Sequence, residues 1–199
     1  EIKNVDIGKP GQNEVLVKNL SIGINYIDTY HRSGLYPIPL PSGIGLEACS
    51  IIEEVGSEVK LFKVGDRVTR ASMPIGTYSE KQIIPEDKLV KVPDNISDEV
   101  ASCITLKGIT AEYLLHRTYQ VKKGDKILYH AAAGALGQIF CPWANALGAE
   151  IIGTVGSDEK IEIAKKNGCH HVINYDEKNF VEEVEKIVGK NGVDVVYDG

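Results

Sequence analysis

Ala132, Gly134 and Gly137 are spaced so that a backbone can come close to a phosphate group. They follow the short apolar run 126–129, precede a helical pattern, and are followed by a second apolar run at 150–155. Strand, small-residue turn and helix in this order make a dinucleotide-binding crossover. The unpaired N–H groups and positive dipole at the helix N-terminus receive a pyrophosphate there. The fit to G-x-G-x-x-G is imperfect, because Ala132 takes the first glycine position. Gly134 and Gly137 take the other two, and Ala135 and Leu136 complete the cofactor-binding turn.

The tip of the second strand bears on which dinucleotide is bound. NAD-preferring domains carry an acid there for the ribose 2′-hydroxyl. Here Gly156 and Ser157 replace the carboxylate, and Lys160 follows within one helical turn. A cation in that place neutralises a 2′-phosphate. Tyr175, just beyond the third strand, adds a hydroxyl donor, while Asp158 and Glu159 bring negative charge nearby. NADPH is the expected cofactor.

The elements that must hold these residues fall into two kinds. The first hundred residues read as β, with strands at 14–18, 48–55, 67–69 and 82–84 and a proline-rich loop at 35–41. From Ser97, with Asp98 and Glu99 behind it, the pattern becomes helical. Strands then alternate with helices: strand 126–129, a helix from Gly134, strand 150–155, helix 158–167, strand 171–174, helix 179–188 and strand 193–197. That order implies a parallel, doubly wound sheet. The expected domains are 1–106 and 107–199, joined inside a helix. Pro142 lies about two turns into the helix that opens at Gly134 and predicts a kink.

Composition narrows the function. A hydrophobic content of 43% is enough to bury a core, and no apolar run approaches the ~18 residues of a membrane span. The net charge of −6 is interspersed, which disfavours nucleic acid. Cys49, Cys103, Cys141 and Cys169 lie far apart and read as reduced thiols in a cytoplasmic protein. The histidines do not assemble with a nucleophile, and His130 reads as structural.

The segments GINYIDTY (23–30), RSGLY (32–36), PSGIGLEA (41–48), VGDRV (64–68), HAAAGALG (130–137) and IIGTVG (151–156) are spread over the whole chain. Together they resemble the quinone oxidoreductase, or ζ-crystallin-like, branch of the zinc-free medium-chain dehydrogenase/reductase superfamily. The resemblance implies an α/β fold: a GroES-like irregular β-barrel domain, then a Rossmann domain. Such proteins usually run longer. The second domain is therefore expected to be truncated on its C-terminal side, and the polypeptide 1–199 to be poorly soluble or inactive through an unpaired sheet edge.

The resemblance also implies site residues. Zinc-dependent relatives ligate metal through a cysteine and a histidine, where this chain has Asn25 and Leu46. No metal is expected. Asn25 and Tyr30 lie in a segment that lines the nicotinamide end of the cleft in the family, where an amide and a phenol hydrogen-bond a carboxamide or carbonyl. They are the expected catalytic residues, with Asn25 also on the cofactor. Tyr36 joins Tyr30 as a substrate contact, and Thr110 is a further cofactor contact. A lysine and a tyrosine spaced like Lys160 and Tyr175 contact the 2′-phosphate.

The activity implied is NADPH-dependent reduction of a quinone or related electrophilic carbonyl, by a full-length homodimer. The alternative within the same scaffold is an enoyl or 2-alkenal reductase. The alternative of another class is a non-catalytic NADPH-binding structural or RNA-binding protein; the acidic balance disfavours RNA.

Overall fold

The computed structural model describes residues 2–198, and the chain divides between Leu106 and Lys107 into two compact units. The first unit contains β1 (Glu14–Gly23), α1 (Tyr26–Ser33), β2 (Glu47–Val55), β3 (Arg67–Ala71), β4 (Lys81–Pro85) and β5 (Val90–Lys91). These strands form one antiparallel sheet in the order β4-β1-β2-β3-β5. Val15 and Val17 of β1 face Ile52, Val68, Ile84 and Leu89, all buried. Burying each such side chain stabilises the sheet by roughly 1.5–3 kcal/mol, before chain entropy is set against it.

Helix α1 stands where the sequence pattern of residues 23–33 predicts no helix. Its start is set by Asp28, whose carboxylate accepts the N–H of Asn25 at 3.0 Å and stands in the first turn, where negative charge suits the helix dipole. Its end is set by Gly34, whose φ of 79° stops the helix in the left-handed conformation. Eight residues, little more than two turns, give periodicity little to detect.

Helix α2 (Asp98–Tyr113) opens where Ser97 accepts the N–H of Val100 at 3.3 Å, and the division between the units falls within it. A π-helical turn, Leu114–Thr118, follows.

The second unit contains β6 (Lys126–Tyr129), α3 (Gly137–Ala146), β7 (Glu150–Val155), α4 (Glu159–Lys166), β8 (His171–Asn174), α5 (Phe180–Val188) and β9 (Val195–Tyr197). All pairings are parallel, in the order β8-β7-β6-β9. Alternate residues of β6 point to opposite faces. Ile127 and Tyr129 pack with Phe140 and Ala144 of α3 and Ala164 of α4, while Leu128 packs with Ile152, Ile173 and Val184 of α5. The sheet is therefore covered on both faces.

Helix α3 begins at Gly137, three residues after the expected start, and retains Pro142 inside it. Among the described residues no helix is long and apolar enough to cross a membrane.

Candidate functional site

The order of the parallel sheet contains a switch point. From β6 the chain steps outward to β7 and β8, then returns across β6 to β9. Ligands of such sheets bind outside the carboxyl ends of the strands at that point. The turn joining β6 to α3 lies there, and the N–H of His130 donates to the carbonyl of Tyr197 at 3.0 Å.

Local geometry shapes this turn as a cradle. Ala131 has φ of 55°, a left-handed conformation rare without glycine, and its carbonyl accepts the N–H of Gly134 at 2.8 Å. Ala132 is buried and donates its N–H to Thr154 on β7 at 3.0 Å. A Cβ on Gly137 would overlap the carbonyl of Ala132, so α3 can start this close to the turn only with glycine there. The N–H groups of Ala135 and Leu136 have no protein acceptor among the described residues. Exposed unpaired donors at a helix N-terminus fit a pyrophosphate. His130 stands behind the turn, its Nδ1 2.9 Å from the Thr154 hydroxyl and its ring edge-on to Phe180, which is a packing role.

At the tip of β7, Gly156 and Tyr175 are brought together. A Cβ on Gly156 would stand 2.6 Å from the Tyr175 hydroxyl, and the N–H of Tyr175 donates to Val155 at 3.0 Å. The backbone of Lys160 turns onto the carbonyl of Ser157 at 3.1 Å, and its exposed ammonium forms no ion pair among the described residues. The negative charge of Asp158 is partly engaged elsewhere, since its carboxylate accepts the amide of Asn174 at 2.9 Å.

In the first unit, Asn25 is buried and its amide donates to Glu47 Oε2 at 2.9 Å. Glu47 is wholly buried, and its other oxygen accepts the N–H of Leu106 at 2.7 Å. Asp28 receives both the N–H of Asn25 and the hydroxyl of Tyr78, each at 3.0 Å. Partial burial, and then this bond to Asp28, push the Tyr78 phenol up to about 12. Tyr30 lies half-buried on α1, its ring 5.4 Å from Tyr26 and 5.2 Å from Tyr36. Asn25 is thus engaged by Glu47, while Tyr30 and Tyr36 belong to an aromatic group. Thr110 lies half-buried on α2, in the second unit.

Glu47, Asp28 and Tyr78 complete a polar network that the sequence reading did not assign to the site. The available signal was Glu47, a carboxylate set in the apolar stretch 44–52. A zinc ion does not fit this donor set. Asn25 presents an amide, Leu46 is a buried hydrocarbon, and no cluster of three or more His, Cys, Asp or Glu suited to a metal occurs among the described residues.

An antiparallel β unit ahead of a doubly wound dinucleotide-binding unit is the plan of a two-domain dehydrogenase or reductase. The family model for the alcohol dehydrogenase GroES-like domain matches residues 11–94, and that for zinc-binding dehydrogenase matches residues 135–199. The chain is 52% identical over 190 residues to quinone oxidoreductase 1 of Escherichia coli, covering 95% of this chain and 58% of that protein. It is 49% identical to a 2-haloacrylate reductase of a Burkholderia species, covering 98% of this chain and 61% of the other. A crystal structure of Escherichia coli quinone oxidoreductase complexed with NADPH superposes with a TM-score of 0.95 at 49% identity, over 100% of this chain and 61% of that one. The chain belongs to the quinone oxidoreductase branch of the medium-chain dehydrogenase/reductase superfamily. It spans about three-fifths of the length of the curated relatives it matches.

Proposed function

We propose that this protein is an NADPH:quinone oxidoreductase that works without a metal ion. The observation that carries the reading is the tip of β7. It has no carboxylate, the Tyr175 phenol packs on Gly156, and the Lys160 ammonium is left unpaired among the described residues. A 2′-phosphate supplies the anion such a group of donors suits. The relative solved with NADPH supports the same choice.

When bound, NADPH supplies a hydride, which is two electrons and one proton equivalent. The chain's own residues bind and orient. Ala135 and Leu136, with Gly134 and Gly137 giving access, hold the pyrophosphate; Ser157, Lys160 and Tyr175 hold the 2′-phosphate. Asn25, kept in place by Glu47, and Thr110 contact the cofactor. Tyr30 and Tyr36 flank the acceptor carbonyl, Tyr30 as hydrogen-bond donor. The reduced quinone oxygen takes its remaining proton from water, so no strong acid is required. By family likeness, the assembly is a homodimer and the compartment the cytoplasm.

A second reading, reduction of an activated C=C, is supported by the 49% identity to the 2-haloacrylate reductase. Steady-state oxidation of NADPH and NADH by the complete protein, with a simple quinone and separately with a 2-haloacrylate, tests both. NADPH-selective turnover of the quinone supports the first reading, and preferential turnover of the alkene supports the second. No turnover with either acceptor overturns both.

A further inference from the structure

The largest fully buried side chain among the described residues is a cation, Arg70 of β3, which is 2% exposed. No carboxylate among the described residues pairs with it. Its Nη1 donates to the carbonyls of Ser72 at 2.9 Å and Pro74 at 2.6 Å, and its Nη2 donates to the Gln82 side-chain oxygen. Gln82 in turn donates to the carbonyl of Ile75 at 3.1 Å. Burying an unpaired charge is costly. Here the guanidinium and its amide partner hold three carbonyls of one short segment, 72–75.

That segment leads directly to Tyr78. The N–H of Gly76 donates to Gly45 at 2.8 Å, and that of Tyr78 donates to Ile44 at 2.9 Å. Gly45 has φ of 100°, and a Cβ on it would overlap Thr77 and the Tyr78 ring, so this approach requires glycine. The Tyr78 hydroxyl then meets Asp28 Oδ2, the same atom that receives the Asn25 N–H and starts α1. Asp28 is 3% exposed and its other oxygen has no partner, so the Oδ2 bonds are what orient the carboxylate.

We propose that Arg70 is a positioning residue for acceptor binding. By fixing the segment 72–78 it keeps Tyr78 on Asp28, and so holds the start of α1, with Asn25 and Tyr30, in its binding orientation. The inference rests on the reading above, in which Asn25 and Tyr30 contact cofactor and acceptor.

The test uses the complete protein with Arg70→Met, Arg70→Lys and Tyr78→Phe. It measures hydrogen exchange of the α1 amides, the KM for a simple quinone, and NADPH affinity by fluorescence titration. Losing a hydrogen bond to a carboxylate is expected to speed α1 exchange about tenfold and raise quinone KM about tenfold, with a smaller loss of NADPH affinity because Glu47 still holds the Asn25 amide. Tyr78→Phe should do this without loosening 72–75, and Arg70→Lys should recover most of the loss. The proposal is overturned if Arg70→Met leaves α1 exchange and quinone KM unchanged, or if exchange rises equally throughout the unit. Should Arg70→Met fail to fold, Arg70→Lys and Gln82→Met, which weaken the same hold on 72–75, decide in its place. Absence of quinone turnover in the wild-type protein would overturn the functional reading, while the exchange data still decide whether Arg70 governs α1.

Discussion

The phenol of Tyr175 rests on the backbone of Gly156, so closely that a methyl group there would stand 2.6 Å from its oxygen. One residue stands where NAD-preferring domains keep an acid, and the other supplies a hydroxyl in its place. Gly156→Ala must therefore move the phenol off the tip of β7. Both Gly156→Ala and Tyr175→Phe are expected to weaken NADPH binding about fivefold to tenfold and to leave NADH binding within about twofold. Equilibrium titration with each nucleotide checks this, and an equal loss for both would remove Tyr175 from the 2′-phosphate.

Lys160 is exposed and without an ion pair among the described residues, whereas Asp158 nearby is engaged by Asn174 at 2.9 Å. Lys160→Ala should cost about tenfold to hundredfold in NADPH affinity, and the loss should shrink as salt screens the phosphate. Titration of wild type and variant at low and high ionic strength is the measurement. A loss indifferent to salt would argue against a phosphate contact.

Two substitutions within the turn after β6 should act in opposite directions. Ala131 pays for a φ of 55°, and Ala131→Gly is expected to stabilise the protein by about 0.5 kcal/mol, strain relief outweighing the entropy of glycine. Gly137→Ala drives a methyl into the Ala132 carbonyl and is expected to cost about 2–3 kcal/mol. Urea unfolding of the complete protein reads both. If Gly137→Ala were neutral, the close start of α3 would not depend on glycine.

Much of this was legible in sequence for a physical reason. The parallel strands are short apolar runs separated by helical patterns, so β6, β7 and β8 announce themselves by composition, and Gly134 and Gly137 by their spacing. Helix α1 was not legible, because two turns between a cap and a glycine stop are too short for periodicity to register. The partners of Asn25 were also hidden. Glu47 lies 22 residues away on β2, and the Leu106 N–H that holds the other carboxylate oxygen lies 59 residues beyond Glu47. Tyr78 meets Asp28 across 50 residues, a contact that only the folded sheet and its loops create.

Cys49 links stability to alkaline pH. Burial first, and then the charge and hydrogen bond of Asp98, push its thiol up from 9.0 to about 11, against the opposing effect of Arg67. The native state thus keeps this proton longer than the unfolded chain does. Its contribution is complete below pH 9 and is lost as pH rises from 9 through about 11. A shift of this size corresponds to about 2–3 kcal/mol at the upper end of that window. Arg70 acts with the opposite sign, because burial lowers its guanidinium to about 10, so any stabilising release of its proton begins only near that pH. Between pH 9 and 10 the thiol acts with little opposition from Arg70. In that interval the unfolding free energy of the wild type should fall with a steeper slope than that of Cys49→Ala, whose stability at pH 7 is set by the cavity it leaves. Parallel slopes in urea titrations across the interval would show that the thiol titrates alike in the folded and unfolded states.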